Sequence, residues 1–266
     1  MMETLPHRIP SELLTRRVTI HLAGVGGNGA QMAGCLARLD IAMRALGHPA
    51  GLHVHAFDPD TASEANVGRQ LYSRADVGAH KAVVTITRLN QFYGLDWDAS
   101  VHAIEAAWRG EHSYTKREAD ILISCVDTRA ARRKMHACLF GGERYLYWLD
   151  LGNRQHDAQV VLGQPPSHAL PQNAPGRLRC VTERYPELLD ETVPEDDTPS
   201  CSVRMSLASQ GLFINDFAAR YAAQLLFELF SSGGINAQGV VVDLKTKRTA
   251  PMRLLPADVN DAPYDV

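Results

Sequence analysis

The sequence predicts an α/β fold of the Rossmann-like type, an open and mostly parallel sheet with helices on both faces. Short apolar runs of strand length alternate along the chain with longer segments whose apolar residues recur at helical spacing. The first apolar run, residues 18–23, leads directly into a loop with glycines at positions 24, 26, 27 and 29. Aspartates follow two later runs, at Asp58 and Asp127, where the ligand sites of open parallel sheets gather.

Alternating strands and helices account for the first half of the chain. We expect the strands at residues 17–23, 52–57, 100–104, 120–125 and 144–151. We expect the helices at residues 30–46, 78–92 and 128–140, the first with apolar side chains at Met32, Leu36, Leu39 and Met43. Glycines and a proline between residues 47 and 51 break the chain before the second strand.

A proline-rich segment separates this core from the C-terminal part. Seven of the 14 prolines lie within residues 164–201, and so long a loop inside a compact domain is often a functional, mobile segment. The pattern then predicts a long helix at residues 202–230 and short closing strands at 240–242 and 252–255. We therefore predict one domain over residues 1–266, with its core at 17–151, a crossover loop at 164–201, and a C-terminal helix with closing strands at 202–256.

The composition excludes several classes of function. A net charge of −3 gives no strong attraction to nucleic acid or to an anionic membrane. No stretch approaches the roughly 20 apolar residues that span a bilayer, and the polar N-terminal segment does not resemble a signal peptide. The five cysteines are odd in number and scattered, which favours a reducing compartment over a disulfide framework. We expect a cytoplasmic protein with neither nucleic acid nor membrane as a partner.

The glycine-rich loop predicts a phosphate site. Gly24, Gly26, Gly27 and Gly29 allow the backbone to turn tightly and to approach phosphate oxygens without a Cβ in the way. The N-terminus of the following helix adds unpaired N–H groups and a partial positive charge. This pattern alone fits NAD, FAD, S-adenosylmethionine or ATP, and it also fits a tight turn that binds nothing.

A series of polar side chains narrows the choice of ligand. Its members, in chain order, are Asp58, Asp60, Asn66, Arg69, Gln70, Lys81 and Asp127. The first carboxylates suit a ribose and a metal ion, and an arginine matches phosphate geometry in a bidentate way. Asp127 could hold Mg²⁺, which binds through one or two carboxylates together with substrate phosphates. Each residue alone could be a turn or surface residue, but the ordered set favours a triphosphate.

This ordered set resembles the ThiF/MoeB/HesA family, the ubiquitin-activating-enzyme-like adenylyltransferases. That family combines a GxGGxG loop and an Asp-x-Asp strand end with Ser-Asn-x-x-Arg-Gln, Asp-Ile-Gly-x-x-Lys and an aspartate after the fourth strand. Here the two middle motifs are Ala65-Asn66-x-x-Arg69-Gln70 and Asp76-Val77-Gly78-x-x-Lys81. The likeness is clear over residues 17–151. Within the family the chain most resembles the PRTRC system ThiF family protein. Two features of this chain support that likeness, namely the insertion at 46–51 and the Cys201…Gln210…Asn215 stretch.

The resemblance implies an activity and a role for each motif. Such enzymes use ATP and Mg²⁺ to adenylate the C-terminal carboxylate of a ubiquitin-like β-grasp protein and release pyrophosphate. By position, Asp58 would hold the ribose, and Asn66, Arg69 and Gln70 would meet the triphosphate. Lys81 would stabilise charge on the α-phosphate, while Asp127 would bind Mg²⁺. The resemblance also allows a conjugating-enzyme-like protein as a second partner.

The cysteines carry a further expectation, since many relatives form a thioester on a cysteine of the crossover loop. Cys201 ends that loop just before the predicted long helix, whose N-terminus would lower the pKa of the thiol. Cys180 is the second candidate, and either residue could equally be a loop cysteine without chemistry. Cys35, Cys125 and Cys138 fall on predicted helices and strands and are expected in the core. The chain has no Cys-x-x-Cys pair, so we expect no zinc.

The sequence leaves two other functions and one question of assembly open. A NAD(P)- or FAD-dependent oxidoreductase could share the fold but would not need Asn66, Arg69 and Lys81 together. A non-catalytic nucleotide-binding adaptor in a plasmid-associated assembly is the other alternative. We expect a homodimer, with a core helix in a monomer as the alternative, because one side of the C-terminal helix is extensively apolar; this side comprises Leu212, Phe213, Phe217, Leu225, Leu226 and Phe230. Some relatives complete the partner subunit's site with an N-terminal arginine, for which the candidates are Arg8, Arg16 and Arg17.

Overall fold

One mixed sheet organises the protein. The computed structural model describes residues 7–108, 118–192 and 211–254. The strands are β1 (His7–Arg8), β2 (Val18–Ala23), β3 (Leu52–Phe57), β4 (Asp98–Ser100), β5 (Ile121–Ser124), β6 (Tyr147–Asn153), β7 (Asp157–Gly163), β8 (Gly234–Ile235), β9 (Ala237–Asp243) and β10 (Arg248–Arg253). The helices are α1 (Gly27–Ala45), α2 (Lys81–Tyr93), α3 (Arg129–Phe140), α4 (Val181–Arg184) and α5 (Ile214–Ser231).

Eight strands form the main sheet in the order β10-β9-β7-β6-β5-β2-β3-β4. The strands β4, β3, β2, β5 and β6 run parallel, which confirms the predicted Rossmann-like fold. The strands β7, β9 and β10 continue the sheet in antiparallel order. The strand order reverses between β2 and β5, because the chain first builds outward to β4 and then returns to β5. Such a switch point is where open α/β sheets bind ligands.

Helices cover both faces of the sheet. On one face α1, α2 and α5 enclose the larger core, in which Leu22, Leu36 and Leu226 are fully buried. The helix α5 packs along α1 and across β6 and β7. On the other face α3 and α4 cover a smaller core around Leu122 and Trp148. None of the helices in the described ranges has the length and hydropathy needed to cross a bilayer.

Several element boundaries differ from the sequence-based expectation for physical reasons. The helix α1 begins at Gly27, three residues early, because its first turn is built from the glycine loop itself. The helix α2 begins at Lys81 rather than at 78, since Gly78 has φ +88° and precedes a bridge between Thr61 and His80. The edge strand β4 ends at Ser100, because the segment Ile104–Trp108 turns into a 3₁₀ helix.

The C-terminal boundaries also differ. Within the described residues the predicted long helix is α5, which begins at Ile214, and the closing strands β9 and β10 are longer than expected. The expected crossover loop is described as far as residue 192, and this part is anchored. Arg177 is buried, pairs with Glu183 and donates to the carbonyl of Gln164 at 2.6 Å. These bonds hold the loop against the sheet, so its described part is not the loose segment that its prolines predicted.

Candidate functional site

A cleft of about 340 Å³ opens at the carboxyl ends of the parallel strands. The glycine loop follows β2, residues 58–60 follow β3, and residues 125–127 follow β5, so all three segments meet at the switch point. The first turns of α3 and α5 close the other side of the cleft. Its volume lies within the range of about 300–1,000 Å³ that is usual for small-molecule sites.

The glycine loop is shaped so that only glycine fits at its key positions. Gly24 has φ +86°, and a Cβ there would lie 2.8 Å from the carbonyl oxygen of Cys125. A Cβ on Gly29 would overlap the carbonyl oxygen of Gly24, and one on Gly27 would lie 2.5 Å from Nδ2 of Asn215. Gly26, at the N-cap of α1, supplies no side-chain cap. The first-turn N–H groups of α1 are therefore available to an anion, as a phosphate requires.

Asp58 joins the glycine loop to the end of β3. Its carboxylate accepts hydrogen bonds from the backbone N–H of Val25 at 2.5 Å and of Asp60 at 2.8 Å. The side chain lines the cleft although Asp58 is only 4% exposed. Burial raises the pKa of Asp58 above its usual value, against the lowering effect of the two backbone hydrogen bonds. A carboxylate oxygen has more than one lone pair, so Asp58 can still accept bonds from a ligand hydroxyl.

Lys81 and Asp60 form an ion pair at the wall of the cleft. Nζ of Lys81 lies 2.9 Å from Oδ2 of Asp60, and the lysine side chain is 9% exposed while that of Asp60 is 65% exposed. Tyr72 fixes the start of α2 against the glycine loop, because its hydroxyl donates to the carbonyl of Val25 at 2.6 Å. The ammonium is thus held at the cleft by a solvent-exposed carboxylate, an arrangement in which a ligand phosphate could compete with Asp60.

Arg69, Gln70 and Asp127 occupy the cleft beside the glycine loop. Burial lowers the pKa of Arg69, and the negative charge of Asp127 opposes this change, so the two charged groups lie close enough to interact. Asp127 is exposed to solvent. Gln70 is buried against Gly26, and its Oε1 has no hydrogen-bond partner within the described part of the chain. The cleft therefore presents a guanidinium, an ammonium and backbone donors together with the exposed carboxylates of Asp60 and Asp127.

Some residues of the predicted site lie elsewhere. Asn66 does not line the cleft, and its Oδ1 accepts from the backbone N–H and hydroxyl of Ser63 in a capping box, so its contact with a ligand stays a prediction. Cys201 lies outside the described residues. Cys180, the second thioester candidate, is fully buried at the N-cap of α4, where desolvation raises the pKa of its thiol well above the usual value. A buried thiol that resists ionisation is a poor nucleophile, so Cys180 is corrected to a structural residue.

A buried ion pair under the cleft was missed by the sequence analysis. Nε of Arg132 lies 3.0 and 3.2 Å from the two carboxylate oxygens of Asp150, which is fully buried. The hydroxyl of Ser124 also donates to Asp150 at 2.5 Å and accepts from Nε1 of Trp148 at 2.7 Å. This network ties α3, which follows Asp127, to the centre of the sheet. The sequence contained one sign of this ion pair, because Asp150 interrupts the apolar run of β6.

Three asparagines that also line the cleft were missed as site residues. Asn28 lies in the first turn of α1, Asn153 ends β6, and Asn215 lies in the first turn of α5. Nδ2 of Asn28 donates to Oδ1 of Asn153 at 2.7 Å, and Nδ2 of Asn153 donates to Oδ1 of Asn215 at 3.3 Å. The position of Asn28 inside the glycine loop was the signal that could have identified it. The other two asparagines become neighbours only through the fold.

No protein-only metal centre is evident within the described ranges, since they contain no group of three or more His, Cys, Asp or Glu side chains placed to hold a metal. Asp127 is exposed and lies between the end of β5 and the start of α3. A single carboxylate fits Mg²⁺ only when phosphate oxygens supply other ligands, which is the usual way that this ion binds.

Two of the three N-terminal arginines that could have reached a partner subunit, Arg16 and Arg17, are engaged within the chain. Arg16 makes two hydrogen bonds to Asp120, at 2.8 and 2.6 Å. Burial alone would raise the pKa of Asp120, but the hydrogen bonds from Arg16 and Thr19 outweigh it and lower that pKa below its usual value. Arg17 pairs with Asp96. Arg8 remains exposed on β1. Any role in a partner's site is thus easier to assign to Arg8 than to the other two.

The apolar side of the C-terminal helix divides into two parts. Leu225, Leu226 and Phe230 are buried in the core of the chain itself, which removes them from the expected dimer surface. Leu212, Phe213 and Phe217 remain exposed, and Phe213 is 62% exposed. The expectation of a homodimer therefore rests on a smaller apolar surface than the sequence predicted.

Comparisons with known structures agree with this architecture. A crystal structure of PaaA is 12% identical with a TM-score of 0.56, over 89% of this chain and 64% of that one. Escherichia coli MccB is 14% identical with a TM-score of 0.55, over 89% of this chain and 62% of that one. A structure of E. coli MccB with AMPCPP and MccA is 16% identical with a TM-score of 0.54, over 93% and 65% of the two chains. The chain thus spans less than two thirds of the length of these structures.

The family comparison is more direct than these distant structural similarities. No curated protein matches the chain in sequence. The model of the ThiF family, by contrast, matches residues 11–254, which include the glycine loop, the polar series, the crossover loop and α5. This match covers nearly the whole chain. The chain belongs to the ThiF family.

Proposed function

We propose that the protein adenylates the C-terminal carboxylate of a ubiquitin-like β-grasp protein with ATP and Mg²⁺. The observation that carries this proposal is the convergence of Arg69, Lys81 and Asp127 on one glycine loop at the switch point of the sheet. A dinucleotide oxidoreductase would have no use for that set of charges. Membership of a family of adenylyltransferases, and the ATP and AMPCPP complexes of E. coli MccB, support the choice of nucleotide.

The residues of the cleft fit the groups of this nucleotide. Backbone N–H groups of the first turn of α1 would bind phosphate oxygens, because no side chain caps them and the backbone leaves no room for a Cβ at Gly24 and Gly29. Asp58 would accept from ribose hydroxyls, since it lines the cleft at the end of β3. Oε1 of Gln70 is a buried acceptor without a partner in the described ranges, so it would favour a ligand donor over a phosphate oxygen.

The charged residues account for the chemistry. ATP bound with Mg²⁺ would supply the adenylyl group and pyrophosphate as the leaving group. Lys81 and Arg69 would neutralise negative charge as it develops, from fixed positions that need little rearrangement. Asp127 would hold the metal ion together with phosphate oxygens. On binding of the nucleotide, Lys81 would exchange its bond to Asp60 for one to a phosphate. The ammonium charge of Lys81 would therefore be brought to the phosphates only when the nucleotide is bound.

Several finer features belong to this proposal. A thioester on Cys201 could follow adenylation, with a conjugating-enzyme-like protein as the next acceptor. A homodimer could form through the exposed Leu212, Phe213 and Phe217. The likeness to the PRTRC system protein suggests that the β-grasp substrate is encoded beside this chain.

The experiment that tests the proposal is ATP–pyrophosphate exchange with purified protein and Mg²⁺, run with and without that β-grasp protein. Exchange that depends on the added protein is the expected result. Exchange should also disappear when the last residue of the β-grasp protein is converted to its amide, because the reacting carboxylate is then absent. Nucleotide binding without exchange under all conditions would favour the adaptor alternative.

A further inference from the structure

We propose that Asn28, Asn153 and Asn215 form a carboxamide row that binds the last peptide unit of the acyl donor. This inference rests on the proposed function and specifies its substrate class. The donor would be a polypeptide C-terminus with a peptide N–H next to its reacting carboxylate. A simple carboxylic acid would lack that contact.

The carboxamide row crosses the wall of the cleft and joins three separate elements. Asn28 belongs to α1, Asn153 to β6 and Asn215 to α5, and all three residues line the cleft. Asn28 is 6% exposed and Asn215 is 2% exposed, so both are buried. The hydrogen bonds of 2.7 and 3.3 Å connect them through Asn153.

The hydrogen bonds of the row run in one direction. Asn28 donates to Asn153, and Asn153 donates to Asn215. Asn28 also donates toward the carbonyl of Leu151 at 3.4 Å, so its Nδ2 is occupied. This leaves Oδ1 of Asn28 as the acceptor at the start of the row, buried and without a hydrogen-bond partner in the described part of the chain. A buried acceptor is costly to leave unpaired, which indicates that a ligand or water donates to it.

Oδ1 of Asn28 is an acceptor, so its partner must be a hydrogen-bond donor. Phosphate groups offer acceptors and negative charge, so they cannot satisfy Oδ1 of Asn28. The partner must be a donor near the point where a carboxylate meets the phosphates on the glycine loop. In a polypeptide the N–H of the last residue is only two bonds from the carboxyl carbon. Asn28 lies within the glycine loop itself, so it is placed to accept from that N–H.

A pair of matched ligands tests the contact. The peptide is N-acetyl-triglycine, and its analogue ends in glycolate, so an ester oxygen replaces the last N–H without added bulk. Binding of each to the nucleotide-free protein is measured by ligand-observed NMR titration. We expect wild type to bind the peptide about 10-fold more tightly than the ester, as the loss of one buried hydrogen bond predicts. In Asn28→Ala the preference should fall to about 2-fold or less.

Two further variants guard against a folding artefact. Asn153→Ala removes the neighbour of Asn28 at a less buried position and should also reduce the preference for the peptide. Asn236→Ala lies on the exposed surface and should keep the wild-type preference. Thermal unfolding establishes that each variant is folded before it is titrated.

The outcomes separate this inference from the proposed function. No binding of the peptide by wild type, equal binding of peptide and ester, or an unchanged preference in both Asn28→Ala and Asn153→Ala would overturn the role of the row. Absence of ATP–pyrophosphate exchange, with the preference for the peptide retained and dependent on Asn28, would instead contradict adenylation and leave the row as a peptide-binding site.

Discussion

The buried pair of Arg132 and Asp150 gives a stability prediction whose size follows from the structure. Replacing Arg132 with methionine keeps much of the side-chain volume but leaves the carboxylate of Asp150 without its cation at a position that is fully buried. Removing one partner of a buried ion pair costs about 3–5 kcal/mol. For a chain of this size each kcal/mol shifts Tm by about 2–4 °C, so Tm should fall by roughly 6–20 °C.

The same pair allows a control in which both charges are removed. The double variant Arg132→Met with Asp150→Leu no longer buries an unpaired charge, so it should recover most of the lost stability. Recovery should be incomplete, because the hydroxyl of Ser124 loses its acceptor. Arg248→Met changes an exposed arginine of β10 and should leave stability within about 0.5 kcal/mol of wild type.

Urea and thermal unfolding followed by tryptophan fluorescence provide the assay, since Trp148 is buried beside this network. A loss of less than about 1 kcal/mol in Arg132→Met, or a double variant less stable than both single variants, would refute the reasoning. The first result would mean that Arg132 is not needed to stabilise Asp150 in the folded protein.

Three further predictions concern the cleft and the crossover loop. Burial raises the pKa of Asp58, so affinity for a fluorescent ATP analogue should fall on acidification at a higher pH than for an ordinary aspartate, whereas Asp58→Asn should bind weakly at every pH. Gly29→Ala should abolish nucleotide binding because its Cβ would overlap the carbonyl of Gly24, while Gly34→Ala, in open space on the same helix, should bind normally and gain up to about 1 kcal/mol in stability. Cys201→Ala should abolish a thioester detected by reducing-agent-sensitive electrophoresis yet spare adenylation, and a thioester that persists would assign the nucleophile elsewhere.

The sequence predicted those parts of the site whose position depends on residues nearby in the chain. The glycine loop follows its strand directly, and the backbone can take that turn only with glycine at positions such as Gly24. Asp58 and Asp127 each follow a strand of the parallel sheet, so the fold class alone places them at one edge. Gln70 lies in the connection over residues 58–80 between β3 and α2, and Lys81 is the first residue of α2, so both follow β3 to the same edge.

The parts that sequence missed depend on contacts between distant elements. Arg132 and Asp150 pair across α3 and β6, and nothing within either segment indicates its partner. Asn153 and Asn215 meet because α5 returns to pack across β6, although 62 positions separate them. The burial of Phe230 in the chain's own core likewise depends on how α5 lies against α1, which apolar spacing alone does not determine.

Partner-dependent ATP–pyrophosphate exchange measures whether Lys81 and Arg69 act on a nucleotide bound at the glycine loop. Lys81→Ala and Arg69→Ala should each reduce the exchange rate by on the order of 10²-fold or more, as expected for the loss of one preorganised charge. The matched surface variants Lys245→Ala and Arg248→Ala should exchange at the wild-type rate, because both residues are exposed and neither lines the cleft. Wild-type exchange rates in both Lys81→Ala and Arg69→Ala would contradict the account.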